Sequence, residues 1–335
     1  MFPIGKRPSL ISFASHLHTV LKHSFTIKHL CMSTELTFDL YQTVTNRIIE
    51  LLETGTIPWK KPWASSGPPM NALTKRCYQG INLWLLLTLN YESNLFLTFE
   101  QLKKVGGSVN KGEKGHMVVY WLVPEKTDLV EEQEEKHKEQ NGKRPFLRYH
   151  KVFNLDQCSG IPSSLTTSTP EQHANPIQAC DAIVLGMPKR PEIKFGKREA
   201  FYSIPGDYVN MPRQKTFASN EAYYATLFHE LVHSTGHEKR LKRKTVMEMA
   251  EFGSEPYSME ELIAEIGSCY LANVAGTLQT TMQNNAAYIK GWLMKLKGDK
   301  RFIIQASSHA QRAVDFILNV QKHVEKDKAA LIEQN

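Results

Sequence analysis

Apolar residues follow helical spacing in some parts of the chain and strand spacing in others, so the pattern predicts a mixed fold. Between residues 36 and 54 they recur every three or four positions until Gly55, which predicts an amphipathic helix. Residues 117–123 and 149–154 are β-branched and aromatic runs typical of strands. We expect an α+β fold with a mainly helical C-terminal half. Further helices are predicted at 82–89, 220–234, 258–275, 284–296 and 304–324, with one or two short strands within 200–209.

Polar stretches divide this pattern into segments. The chain has 335 residues, which is enough for about two domains. Residues 161–176 are dense in Ser, Thr, Pro and Gln, a composition that buries too little apolar surface to fold, and they predict a linker. We therefore expect one small α/β domain over 35–160 and a second, mainly helical domain over 177–325. The almost wholly polar residues 125–144 predict an exposed loop in the first domain.

The composition of the chain indicates the cellular compartment in which the protein works. Residues 1–34 contain basic but no acidic side chains, as organellar targeting sequences do; alternatively, Met32 begins an ordinary protein start and the preceding residues are a disordered leader. The five cysteines are scattered without a CxxC pair, which favours a reducing compartment. No apolar stretch approaches the roughly 20 residues of a membrane span. We expect a soluble cytoplasmic protein, with organellar targeting by residues 1–34 as the alternative.

Charge alone does not identify a partner. The chain has 41 basic and 34 acidic residues, an excess that tolerates an anionic partner without requiring one. Specific chemistry must therefore come from motifs.

One sequence motif does indicate specific chemistry, namely metal binding. Residues 229–233 read His-Glu-Leu-Val-His, an HExxH sequence. On a helix, residues four apart share a face, so His229 and His233 can reach one cation while Glu230 points toward a water molecule at the metal. Gly236 stands where that helix should end. The motif predicts a zinc site with His229 and His233 as ligands and Glu230 as the catalytic base.

Two histidines leave zinc in need of a third protein ligand, with one position open for water. The strong acidic cluster downstream is Glu260, Glu261 and Glu265, on a predicted helix that Ser258 can cap. Glu261 and Glu265 share a face, and their spacing is similar to the ExxxD/E helix of gluzincin peptidases. This resemblance implies Glu261 as the ligand and Glu265 as the group that orients a ligand histidine. The opposite assignment stays open. A metzincin pattern fails, because it needs histidine at position 239, which is Lys239.

Such a site suits peptide hydrolysis. Zinc lowers the pKa of a bound water from about 15.7 to about 7, and Glu230 would take its proton and return it to the leaving amine. Tyr257 is a candidate for stabilising the oxyanion, although an aromatic residue there also suits a core. The strand predicted within 201–209 could pair with an extended peptide. A structural zinc is the alternative, but it normally has four protein ligands.

Aromatic and basic residues are interleaved in the N-terminal half. This arrangement suits single-stranded nucleic acid, whose bases stack and whose phosphates pair with cations. The same aromatic residues would equally suit a core between helices. The residues predicted to contact nucleic acid are Trp59, Lys60, Lys61, Trp63, Tyr78, Asn82, Lys111 and Lys114.

Several short motifs occur along the chain: Tyr41-Gln42 and residues 55–63, 78–82, 111–115, 152–154, 229–237, 252–255 and 260–267. Together they resemble the ArdC-type antirestriction proteins, over about residues 36–320. The resemblance implies an N-terminal single-stranded-DNA-binding domain, a C-terminal zincin-like zinc metallopeptidase domain and an association with mobile elements. It also implies protein substrates bound to DNA, restriction enzymes among them. The alternative is a single-stranded-DNA-binding protein whose zinc domain is structural or non-proteolytic.

Overall fold

Helices and strands alternate in the first half of the chain, and helices dominate the second. The structure, a computed structural model, describes residues 38–63, 67–122, 146–166, 175–247, 254–278 and 286–320. The predicted α+β class is confirmed. No described helix is both long and apolar enough to cross a bilayer. In chain order the elements are α1 (Leu40–Glu53), β1 (Met70–Asn71), α2 (Ile81–Leu87), β2 (Leu95–Thr98), α3 (Phe99–Lys104), β3 (Ser108–Val109), β4 (His116–Leu122), β5 (Phe146–Asn154), β6 (Cys158–Ser159), α4 (Ser163–Thr166), α5 (Pro176–Gly186), β7 (Glu192–Lys194), β8 (Phe201–Ser203), β9 (Tyr208–Asn210), α6 (Asn220–Thr235), α7 (Lys244–Met247), α8 (Glu255–Ala275), α9 (Ala286–Gly298) and α10 (Phe302–Ile317).

A four-stranded sheet of order β1-β2-β5-β4 organises the N-terminal half. β4 and β5 are antiparallel with Leu122 opposite Phe146, so residues 123–145 connect two paired strands. The loop predicted over 125–144 lies in that connection, outside the described residues. β4 is an edge strand, and the side-chain amide of Asn82 bonds both the carbonyl and the N–H of Val119, at 2.7 and 2.8 Å. This bonding occupies backbone groups that could otherwise pair with another strand.

The C-terminal half packs helices beside a three-stranded sheet of order β7-β9-β8. Its central contact is between α6 and α8, where Gly267 faces Val232. A Cβ atom at position 267 would lie 2.8 Å from Val232 Cγ2, and a β-branched side chain in a helix has little freedom to move away. Glycine therefore permits the close approach that brings the carboxylates of α8 to the histidines of α6.

The start of α8 differs from the prediction. Ser254 accepts a hydrogen bond from the N–H of Tyr257 at 3.4 Å, and Pro256 lies in the first turn, so the helix begins at Glu255. The prediction that Ser258 caps this helix is wrong, because its hydroxyl donates instead to the Ser254 carbonyl at 2.9 Å.

Both halves contribute to one hydrophobic core. Trp59 and Leu52 from the first half belong to the same buried cluster as Leu231, Ile263 and Phe302 from the second. The domain boundaries predicted at 35–160 and 177–325 stay a prediction. Within the predicted linker the structure describes α4, whereas residues 167–174 lie outside the described residues, as does the predicted leader over 1–34.

Candidate metal centre

Two histidines and one glutamate converge where α6 meets α8. His229 and His233 lie one turn apart on α6, with their Nε2 atoms 3.1 Å from each other. Glu261 directs its carboxylate at both, with Oε2 3.6 Å from His229 Nε2 and Oε1 3.5 Å from His233 Nε2. Among the described residues, this is the group of His, Cys, Asp or Glu side chains whose ligand atoms lie within 4.8 Å of one another. The structure thus brings the three predicted ligands together.

The spacing of these donors fits a divalent metal ion. Ligand atoms 2.0–2.2 Å from a tetrahedral ion lie about 3.3–3.6 Å from one another. The observed separations of 3.1, 3.5 and 3.6 Å are close to that range. Two imidazole nitrogens that face each other at 3.1 Å also need a cation or a proton between them, since their lone pairs repel. Three protein donors leave one tetrahedral position for a water molecule.

Glu260 orients His233, one of the two histidines predicted as metal ligands. Its Oε1 lies 3.2 Å from His233 Nδ1, and the residue is only 6% exposed. Arg243 donates to both carboxylate oxygens, with Nε at 3.1 Å from Oε2, and the Thr245 hydroxyl donates to Oε2 at 2.7 Å. A carboxylate held in this way fixes the imidazole so that Nε2 of His233 faces the metal position.

The orienting role predicted for Glu265 is therefore corrected. Glu265 lies one turn beyond Glu261, about 6 Å farther along the helix axis. Its Oε1 is 3.3 Å from Lys60 Nζ, so its partner is a lysine of the N-terminal half instead of a histidine.

Opposite charges keep the carboxylates of the cluster ionised. Burial raises the pKa of Glu260, but Arg243 and His233 outweigh this effect and hold that pKa well below its ordinary value. Burial also raises the pKa of Glu261, and the hydrogen bond from His229 with the nearby imidazoles lowers it below normal. Conversely, burial lowers the pKa of His229, yet Glu261 and the neighbouring carboxylates raise it overall. The cluster therefore presents negative charge to a cation.

The two histidines and Glu261 line a cleft of about 550 Å³. Glu230, 8% exposed, lines this cleft beside both histidines. Tyr257 also lines it, and its hydroxyl hydrogen-bonds Glu261, so this residue belongs to the cleft as well as to the packing of α8. One wall includes Phe201 and Tyr202 of β8, an edge strand.

A buried arginine, which no sequence motif indicated, ties this wall to the HExxH helix. The Arg240 side chain is 1% exposed and pairs with Asp207 in the turn between β8 and β9. It also donates to the Tyr202 hydroxyl at 3.0 Å, and that hydroxyl donates to Asp207 at 2.8 Å. Burial raises the pKa of Asp207, but these hydrogen bonds outweigh it and lower the pKa to about 2. Because Arg240 follows α6 closely, the edge strand and the histidines are fixed relative to each other.

The aromatic residues predicted to stack on bases pack against protein. Trp59 is 0% exposed. Trp63 packs edge-on against Tyr270 with ring centroids 5.4 Å apart, and Tyr78 packs edge-on against Phe96 at 6.0 Å. The burial of Trp59 contradicts a base-stacking role in this conformation, because no part of its ring is accessible.

The predicted polar contacts to nucleic acid divide into two groups. Lys60 pairs with Glu265, Lys61 Nζ donates to the Leu87 carbonyl at 2.7 Å, and Asn82 bonds β4, so these three have structural partners. Lys111 and Lys114 are exposed in the turn before β4. That these two lysines contact nucleic acid stays a prediction.

Comparison with known proteins finds relatives of both halves. Residues 38–153 match the family of the N-terminal domain of the anti-restriction factor ArdC, and residues 184–309 match the zincin-like metallopeptidase family. The chain is 32% identical over 319 residues to the DNA primase TraC of Escherichia coli, a match that covers 88% of this chain and 29% of TraC. The chain thus spans less than a third of that relative's length.

Two solved structures are similar along most of the chain. The metal-free crystal structure of the antirestriction ArdC protein from the R388 plasmid is 37% identical, with a TM-score of 0.65, and the match covers 85% of this chain and 100% of that one. The Mn(II)-bound structure of the same protein is 38% identical, also with a TM-score of 0.65, and the match covers 84% and 98%.

Proposed function

The chain belongs to the ArdC antirestriction family, and from this premise we propose that it is a zinc-dependent metallopeptidase that binds single-stranded DNA. Its proposed substrates are proteins associated with that DNA, restriction enzymes among them. The observation that carries the proposal is the convergence of His229, His233 and Glu261 on one point, with Glu230 lining the same cleft.

The proposed chemistry assigns a role to each residue of the cleft. His229, His233 and Glu261 hold the metal, which when bound supplies a Lewis acid that polarises a peptide carbonyl and acidifies coordinated water. Glu230 accepts the proton of the attacking water and returns it to the leaving amine. Tyr257, which lines the same cleft, would turn its hydroxyl from Glu261 to the carbonyl oxygen and donate a hydrogen bond to it as negative charge develops there.

The cleft suits an extended polypeptide. β8 is the edge of its sheet and forms part of the cleft wall, so a substrate strand can add to it through backbone hydrogen bonds. The buried contacts of Arg240 with Asp207 and Tyr202 hold this strand in place before substrate arrives. We therefore propose that the substrate binds as an unfolded segment.

Zinc is the metal we propose, because two imidazoles and one carboxylate with an open position form a usual catalytic zinc site. The related R388 protein has been crystallised with Mn(II), so manganese is the comparison metal for any assay.

Two measurements on the full chain test the proposal. We expect hydrolysis of a fluorogenic peptide library to stop on chelation and to return with one equivalent of Zn²⁺. We expect a labelled single-stranded oligonucleotide to bind, with the logarithm of its binding constant falling linearly with the logarithm of the salt concentration. Chelation should leave this binding unchanged. Oligonucleotide binding without hydrolysis would replace the peptidase with the non-proteolytic alternative. Hydrolysis without salt-dependent binding would remove the DNA role.

A further inference from the structure

A basic groove of about 710 Å³ lies in the second half of the chain, outside the metal cleft. We propose that this groove binds single-stranded DNA, with phosphates on its cations and a base on its exposed aromatic ring. The inference rests on the DNA-binding part of the proposed function and adds a location to it. The lining side chains that matter are Phe195, Lys197, Arg198, Arg213 and Phe217.

The charge of the groove is uncompensated. Lys197, Arg198 and Arg213 are exposed, and no carboxylate is among the residues that line the groove. Neighbouring cations do have acidic partners: Lys194 pairs with Glu192 at 3.2 Å, and Lys239 pairs with Asp207 at 3.3 Å. Within the described part of the chain no ion pair involves the three cations of the groove, which leaves them available to a polyanion.

The loop that presents two of these cations is fixed. Asn210, 3% exposed, donates from its amide to the Glu199 carbonyl at 2.6 Å. Its amide oxygen accepts from the Lys197 N–H at 3.3 Å. Because β9 anchors the loop in this way, Lys197 and Arg198 are positioned before a ligand binds, which lowers the entropy lost on binding.

The groove also offers the aromatic face that buried Trp59 does not. Phe195 is 57% exposed and precedes Lys197 by two residues in the chain segment that lines the groove. Phe217 packs edge-on against Tyr223 with ring centroids 5.4 Å apart and so is anchored to the core. An exposed ring among cations is the arrangement on which unpaired bases stack and phosphates pair.

The groove and the cleft are neighbours. Lys197 Nζ lies 4.9 Å from the centre of the Phe201 ring, and Phe201 lines the cleft together with Glu230, Glu260 and Glu261. A phosphate backbone is attracted to the groove by its three cations. A protein seated on DNA in the groove would therefore lie beside the metal centre.

Oligonucleotide titrations on the full chain test this location. We expect the triple variant Lys197→Gln/Arg198→Gln/Arg213→Gln to bind a labelled oligo-dT on the order of 10- to 100-fold more weakly at low salt. Its log–log salt slope should be shallower by about 2, since each lost phosphate contact contributes about 0.7 for a single strand. Phe195→Ala should weaken binding by roughly 5-fold or more without changing the slope, because stacking does not release counterions.

The controls separate this location from the other candidates. Lys103→Gln/Lys104→Gln neutralises two exposed lysines of α3 and should change neither affinity nor slope. Circular dichroism of each variant checks the fold. If the triple variant keeps wild-type affinity and slope, the groove assignment is overturned and the DNA-binding proposal stands. If the wild type shows no salt-dependent binding, both fail. A polyglutamate peptide is titrated as a second ligand. If the triple variant binds this peptide more weakly but keeps wild-type affinity for oligo-dT, the groove recognises acidic polypeptides and the inference is wrong.

Discussion

Glu230→Gln is expected to lower peptide hydrolysis by about 10²- to 10⁴-fold, with the fold and the bound metal retained. Glutamine has nearly the same shape as glutamate but cannot accept the proton of the attacking water. Glu230 is 8% exposed and lines the cleft, whereas the three metal donors are other residues. The loss should therefore appear in kcat, because the change removes proton transfer and leaves the substrate contacts of β8 intact.

The measurement is steady-state hydrolysis of a peptide identified from the library, with metal content determined on the same samples. Glu238→Gln is the matched control, since Glu238 is exposed after the end of α6 and does not line the cleft. It should behave as wild type. Full activity of Glu230→Gln would contradict the assignment of the base, and loss of metal from that variant would mean that Glu230 is a ligand.

Arg243→Met is expected to destabilise the metal-free protein by about 3–5 kcal/mol, a large part of the stability of an ordinary domain. Arg243 is 5% exposed and Glu260 is 6% exposed, so methionine would leave a buried carboxylate without its cation. Arg243 also donates to the Thr235 hydroxyl at 2.6 Å and to the Val232 carbonyl at 2.9 Å, which ties the end of α6 to α8.

Urea unfolding in the presence of a chelator measures this effect without a contribution from bound metal. Arg312→Met removes an exposed arginine of α10 and should change the free energy of unfolding by less than about 0.5 kcal/mol. The double variant Arg243→Met/Glu260→Leu should recover most of the loss, because it removes the unpaired charge. A single Arg243→Met variant as stable as wild type would show that the pair has no structural role.

Local spacing explains what the sequence could predict. His229 and His233 are four residues apart, so any α-helix over 220–235 places them on one face, whatever surrounds it. The prediction of Glu261 as a ligand rests on resemblance to the ExxxD/E pattern of gluzincins, which is also a spacing within one helix. Two strands of the four-stranded sheet, β4 and β5, lie where the β-branched and aromatic runs predict them, whereas no such run predicts β1 or β2.

The other residue roles depend on tertiary contacts, which the sequence does not reveal. Glu260 and Glu265 lie on the same helix as Glu261, and only the packing of α8 against α6 decides which of them meets His233. Arg240 and Arg243 stand in no motif, because their roles depend on carboxylates 33 and 17 residues away in the chain. Trp59 shows the same limit. An aromatic residue among lysines is typical of a nucleic-acid-binding surface and equally of a core, and only the structure shows that Trp59 is buried in the core.

Calorimetric titration of the metal-stripped protein with Zn²⁺, comparing Glu261→Ala with Glu265→Ala, tests the metal centre most directly. The two residues lie four positions apart on α8, so each variant removes one glutamate carboxylate from the same helix. We expect wild type and Glu265→Ala to bind one ion per chain with similar affinity. We expect Glu261→Ala to bind more than about 100-fold more weakly, beyond the usual effect of losing an orienting residue. Wild-type affinity in Glu261→Ala, or its loss in Glu265→Ala, would contradict the ligand set on which the proposed function depends.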